Sequence, residues 1–116
     1  MNEEDRKQIG VTPAGQAALD RLTKTLRWFD EGQDAGRFAL ALAVRRGVGA
    51  GQVQGVETRW SQGSFDPDGE ILSILRAVYP DSTTPIRLME HLIDEGLKLV
   101  VGGLDSGEEA PIAYLS

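Results

Sequence analysis

Between residues 85 and 101 the chain carries apolar side chains on more than one face of a helix. Met89, Ile93, Leu97 and Val100 form one row, and Leu88, Leu92 and Leu99 form a second. A helix apolar on two sides must be enclosed by its own chain or share one side with another molecule. The chain has 116 residues, enough for one domain that buries roughly two-thirds of its unfolded surface. With so few elements available to wrap one helix, the second row predicts self-association, with simple burial as the alternative. The expected interface residues are Leu88, Met89, Leu92, Ile93 and Leu99.

The segments before this helix read as a short arm and three more helices. Residues 8–12 alternate, with Ile9 and Val11 on one side, as in a brief strand or extended arm. Thr12 can then cap a helix whose first turn accepts Pro13 without losing a hydrogen bond. Ala18, Leu19, Leu22, Leu26 and Phe29 give helix one its apolar stripe, from residue 13 to about 28. Helix two is expected over residues 34–46, with Asp34 at its start and Arg45-Arg46 at its end, matching the helix dipole. Its buried face holds Ala35, Phe38, Ala39, Leu42 and Ala43, small enough for close helix approach.

A glycine-rich connector follows at 47–51, then a candidate for strand pairing at 53–59 and a turn-rich loop at 63–69. Helix three is expected over 69–78, burying Ile71, Leu72, Leu75 and Val78, and Thr84-Pro85 starts helix four. The reading is a mainly α, compact four-helix domain with a short N-terminal extended arm and a short β pairing in the middle. Its expected divisions are a flexible N-terminus at 1–7, the helical domain at 8–102 and an acidic tail at 103–116. Within that tail, residues 112–115 are suited to docking.

Composition removes several kinds of chemistry. No cysteine is present, which excludes disulfides, thiolate metal sites and cysteine nucleophiles. His91 is the single histidine, so no site can use two imidazoles. No apolar run reaches the length that spans a membrane, and residues 1–10 are charged rather than signal-like, which predicts a cytosolic protein. Cofactor and metal are both expected to be absent, and the chain is not expected to be an enzyme.

Charge is uneven. Up to Trp60 there are nine basic and eight acidic residues, a net of +1; beyond it there are three and ten, a net of −7. The total of −6 opposes avid nonspecific binding to a phosphate backbone but leaves a local basic face open.

Individual motifs have bland explanations. The 47–51 connector lacks the third glycine of a dinucleotide turn, and no Gly-Lys pair provides a triphosphate loop. Ser64, Asp66, Asp68 and Gly69 imitate the opening of a calcium loop, but Leu75 stands where the bidentate glutamate belongs, so a helix-capping turn is the better account. His91, between Glu90 and Leu92, has no nucleophile at a motif spacing and reads as a structural or interface residue.

Arg21, Lys24 and Arg27 recur every three residues along helix one, and Arg45 and Arg46 end helix two. With Arg6-Lys7 they hold most of the positive charge. Flexible cations on one face are what phosphate contacts need, and these five are the candidate DNA-binding residues. A solvated polar face is the alternative. An arm followed by helices also suggests a ribbon-helix-helix repressor, although Ile9 and Gly10 interrupt the arm's polar face.

Val56-Glu57-Thr58-Arg59-Trp60, then Gly63-Ser64-Phe65 and Gly69-Glu70, resemble the DndE family, a small subunit of the bacterial machinery that installs phosphorothioate sulfur in DNA. Met89-Glu90-His91-Leu92 with Gly96 and Leu99 resembles that family's closing helix, and residues 37–42 resemble its second helix. The similarity extends over about residues 8–102. Glu95 stands where the family usually has a basic residue, and there are only three lysines, Lys7, Lys24 and Lys98.

The resemblance implies a non-catalytic helical protein that self-associates as a tetramer and attends the other subunits of the sulfur-incorporating complex. It also implies contact with DNA, including nicked duplex, through basic surface residues. The expected function is thus an oligomeric, DNA-associated accessory subunit of phosphorothioation or a related defence system. A repressor and a protein-only structural adaptor of a larger enzyme complex are the alternatives.

Overall fold

A computed structural model describes residues 4–115, and its first helix begins where the sequence places its first cap. Strand β1 (Gln8–Val11) leads into α1 (Pro13–Asp20). The Thr12 hydroxyl accepts the Gly15 amide at 2.9 Å and donates to Asp94 at 2.9 Å. Helix one ends sooner than expected. After Asp20 it widens into a π turn (Arg21–Thr25), and Arg27 then adopts the left-handed region at φ 56. The chain thereby reverses before Trp28, whose amide reaches the Leu22 carbonyl at 2.9 Å.

Helix α2 (Gly32–Arg45) follows, then β2 (Glu57–Ser61), a single turn α3 (Gln62–Phe65), α4 (Glu70–Val78), α5 (Pro85–Asp105) and a 3-10 turn (Pro111–Leu115). The architecture is mainly α with one short antiparallel β pair. That pair joins β1 to β2, with Gln8 opposite Ser61, Ile9 opposite Trp60, Gly10 opposite Thr58 and Val11 opposite Glu57. Arg59 is the extra residue of a bulge, which turns the strand locally. A Cβ on Gly10 would stand 2.9 Å from the Glu57 carbonyl oxygen, so only glycine fits at this kink.

Helix α5 is the centre of the core, and this corrects the interface expectation. Leu88, Met89, Leu92 and Ile93 are all 2% exposed or less within one chain, and Leu99 is half-buried against the same cluster. Two kinds of wall enclose the helix. On one side α2 presents fully buried Ala35, Ala39 and Ala43, and the two backbones come so close that a Cβ on Gly96 would lie 1.9 Å from the Ala39 carbonyl oxygen. On another, β1 and α1 are drawn onto the helix by its own carboxylates. Small residues made the wrapping possible, because close backbones leave room for further elements around one helix. Leu88, Met89, Leu92 and Ile93 are therefore occupied by contacts within one chain, and only Leu99 of the expected five keeps part of its surface open.

The buried carboxylates Glu90 and Asp94 hold the arm. Glu90 Oε2 accepts the Gly10 amide at 2.7 Å and lies 2.8 Å from Arg6 Nε; Asp94 accepts Thr12 and pairs with Lys98 at 3.2 Å. Asp5 accepts the Ile86 and Arg87 amides at 2.9 and 3.0 Å, satisfying the open donors at the start of α5. Residues 4–6 are consequently tied to α5 rather than loose, while residues 1–3 of the expected flexible N-terminus lie outside the described residues. Burial raises the Glu90 carboxyl above its ordinary range, and the Gly10 amide and Arg6 partly offset that effect.

Around 62–69, Asp66 accepts the Ile71 and Leu72 amides, both at 3.0 Å, so its two oxygens serve α4. Arg37 ties α3 to α2, donating to the Phe65 carbonyl at 2.8 Å and the Ser64 carbonyl at 3.0 Å while lying over the Phe65 ring. Phe65 stacks on Trp60 at 5.3 Å, and the pair covers Gly36.

Candidate nucleic-acid interface

The end of the molecule formed by the π turn, the C-termini of α2 and α5, and the 3-10 turn gathers three of the five expected cations. Helix α5 runs four residues past its expected end. A mid-helix glycine costs only about 1 kcal/mol, and here Gly103 brings a compensating contact. The Tyr114 ring packs against Gly103, where a Cβ would stand 2.4 Å from its Cε1. Tyr114 is 3% exposed and donates its hydroxyl to the Val100 carbonyl at 2.6 Å. The edges of Trp28 and Phe38 meet its ring, each at 6.3 Å.

Arginines surround this anchor. Arg45 Nη2 donates to the Leu115 carbonyl at 2.7 Å and Arg46 Nη2 to the Tyr114 carbonyl at 3.2 Å. Arg21 lies 3.6 Å from Asp105 at the end of α5. An open cleft of about 330 Å³ runs beside Arg46, Ser106, Glu108 and Tyr114. Burial, then Glu108, raises the Tyr114 phenol, while Arg21 and Arg46 act in the opposite direction, so acids and arginines both reach this point. Among the described residues, neither Arg45 nor Arg46 has a carboxylate partner within ion-pair distance. The hydrogen bonds their Nη2 groups make go to main-chain carbonyls.

Lys24 is placed elsewhere, and among the described residues Arg27 makes no contact with the other cations. Lys24 pairs with Asp20 at 3.6 Å and lines a different cleft with Asp30 and Arg59. Arg27 occupies the left-handed turn and is exposed. The π turn explains the split, because a wider helical turn rotates residues spaced by three away from a common face. The expected single row on helix one is therefore divided, and Arg21 joins Arg45 and Arg46 through tertiary structure alone. Sequence reasoning expected residues 112–115 to dock, and Tyr114 does so, but it singled out neither Tyr114 as the anchor nor Asp105 as the partner of Arg21. The available signal was a glycine, Gly103, near the end of an apolar helix, where a large side chain can approach the backbone.

His91 faces the 47–51 connector, with Nε2 3.1 Å from the Gly49 carbonyl oxygen and the ring against Gly51. Tyr79 donates to the Val48 carbonyl at 2.6 Å, and burial raises its phenol. Both residues fasten the glycine-rich connector to the body. Among the described residues, no group of three or more His, Asp or Glu side chains is placed to hold a metal ion. None of the described helices is long and apolar enough to cross a membrane. Comparison with protein-family models, with curated proteins and with solved structures finds no match.

Proposed function

We propose that this domain is a non-catalytic accessory module that contacts the phosphates of DNA through Arg21, Arg45 and Arg46. The observation that carries the reading is that Arg45 and Arg46 sit together, exposed, with no carboxylate of the described residues paired to either. Guanidinium groups whose partners are carbonyls keep their charge and can exchange those partners for phosphate oxygens. The resemblance to the DndE family supports the same reading and suggests the setting, a phosphorothioation or related defence complex whose other subunits perform the chemistry. With α5 enclosed by its own chain, the interface between copies that the resemblance implies would use other surfaces.

The repressor alternative needs the N-terminal strand to pair with that of a second copy. In this chain β1 is paired with β2, and its Gly10 amide is bonded to Glu90, so the accessory reading is favoured. The test is a salt-titrated binding assay with a duplex oligonucleotide. The double variant Arg45→Glu/Arg46→Glu should weaken binding at least tenfold at low salt and flatten the salt dependence by about two ions, one per lost phosphate contact. Unchanged affinity in that variant would remove the reading and leave the protein-only adaptor.

A further inference from the structure

We propose that residues 111–115 form an autoinhibitory strap that covers the cationic end and must leave before phosphate can bind there. The inference rests on the DNA-contact reading above and adds its regulation. Three observations carry it. The same Arg45 and Arg46 Nη2 groups that would meet phosphate oxygens are occupied by the Leu115 and Tyr114 carbonyls. The approach to the strap carries Asp105, 3.6 Å from Arg21, and Glu108, which lines the cleft with Arg46, followed in sequence by Glu109. The strap's grip is also narrow, because Ile112 is 74% and Leu115 47% exposed while Tyr114 alone is buried.

One anchoring side chain makes a contact that can close and open as a unit. The connection back to α5 suits such motion: residues 105–109 are exposed, and Gly107 takes φ 99, a conformation glycine adopts without strain. Opening would free both guanidinium groups and uncover Trp28 and Phe38, placing aromatic rings beside cations, a combination that suits nucleic acid. A closed strap lowers apparent affinity by the fraction of molecules that are open.

The test compares the native chain with Tyr114→Ala, Tyr114→Phe and Glu108→Gln/Glu109→Gln, using a 20-base-pair duplex as probe at about 50 mM salt. Tyr114→Ala removes the anchor and should tighten binding about tenfold, as expected for a mostly closed strap. Tyr114→Phe keeps the ring but loses the Val100 bond, and should tighten binding about threefold to fivefold. The glutamine pair leaves the anchor intact and should tighten it about twofold. Tryptophan emission gives a second readout, since duplex should shift Trp28 to the red in the native chain, and Tyr114→Ala should already show that shift. If Tyr114→Ala does not fold, the other two variants decide. Should the anchor variants bind no more tightly than native while Arg45→Glu/Arg46→Glu weakens binding, the strap is refuted and the DNA-contact reading stands. If no variant changes affinity, both fail.

Discussion

Replacing Gly96 with alanine tests the account of how one chain encloses α5. The added methyl would lie 1.9 Å from the Ala39 carbonyl oxygen and 2.4 Å from its carbon, with backbone on the opposing side. An ordinary carbon–oxygen contact needs at least about 3.3 Å, so α2 and α5 must separate by more than 1 Å along that line. Overpacking of this kind costs about 1–3 kcal/mol. The upper end applies because a helix backbone cannot rotate aside as a side chain can, and because the strain spreads to Ala35, Ala43, Leu92 and Ile93. Alanine returns up to about 1 kcal/mol of helix propensity, which leaves a net loss of roughly 2 kcal/mol. For a domain of this size that is a fall in Tm of about 8 °C. Calorimetry checks the midpoint and urea titration the free energy. A melting point within about 2 °C of native would refute the close approach and reopen the question of what covers α5.

Three further predictions concern local devices. Arg27→Gly relieves a left-handed residue at φ 56 and should raise stability by about 1 kcal/mol, or roughly 4 °C in Tm, measured by thermal melting. Asp66→Ala leaves the Ile71 and Leu72 amides without their acceptor; it should cost about 1–2 kcal/mol and speed hydrogen exchange at those two amides. Glu90 titrates above its ordinary 4.5 in the folded protein, so the native state holds its proton more firmly than the unfolded chain. Its contribution is full below pH 4.5 and fades as pH rises through the folded value, so Glu90→Gln should flatten that decline in stability, seen in urea titrations across pH 4–7.

Helix starts were legible because they depend on neighbours in sequence. Thr12-Pro13 marks the opening of α1 through a local cap and Pro85 that of α5, although the amides there are met by distant Asp5 and not by Thr84; β1 shows in the alternation of Ile9 and Val11. Helix ends were less legible. The π turn after Asp20 and the continuation of α5 through Gly102-Gly103 respond to Trp28 and Tyr114, residues brought close by folding. The candidate site was legible in part. Arg21, Arg45 and Arg46 were identifiable as cations, but their meeting at the seat of Tyr114 involves residues up to 93 positions apart along the chain, beyond any pattern of spacing.

The chain's own order of residues determined that this protein is helical, where α1, α4 and α5 open to within a residue and which faces are greasy, since each follows from steric and hydrogen-bonding preferences within a few residues. Tertiary structure alone decided that most of the apolar surface of α5 is covered by its own chain. That outcome turns on the distance between two backbones at Gly96 and Ala39 and on the carboxylates that draw the arm against the helix. Periodicity can show that a surface must be covered, but what covers it depends on how closely distant segments can approach.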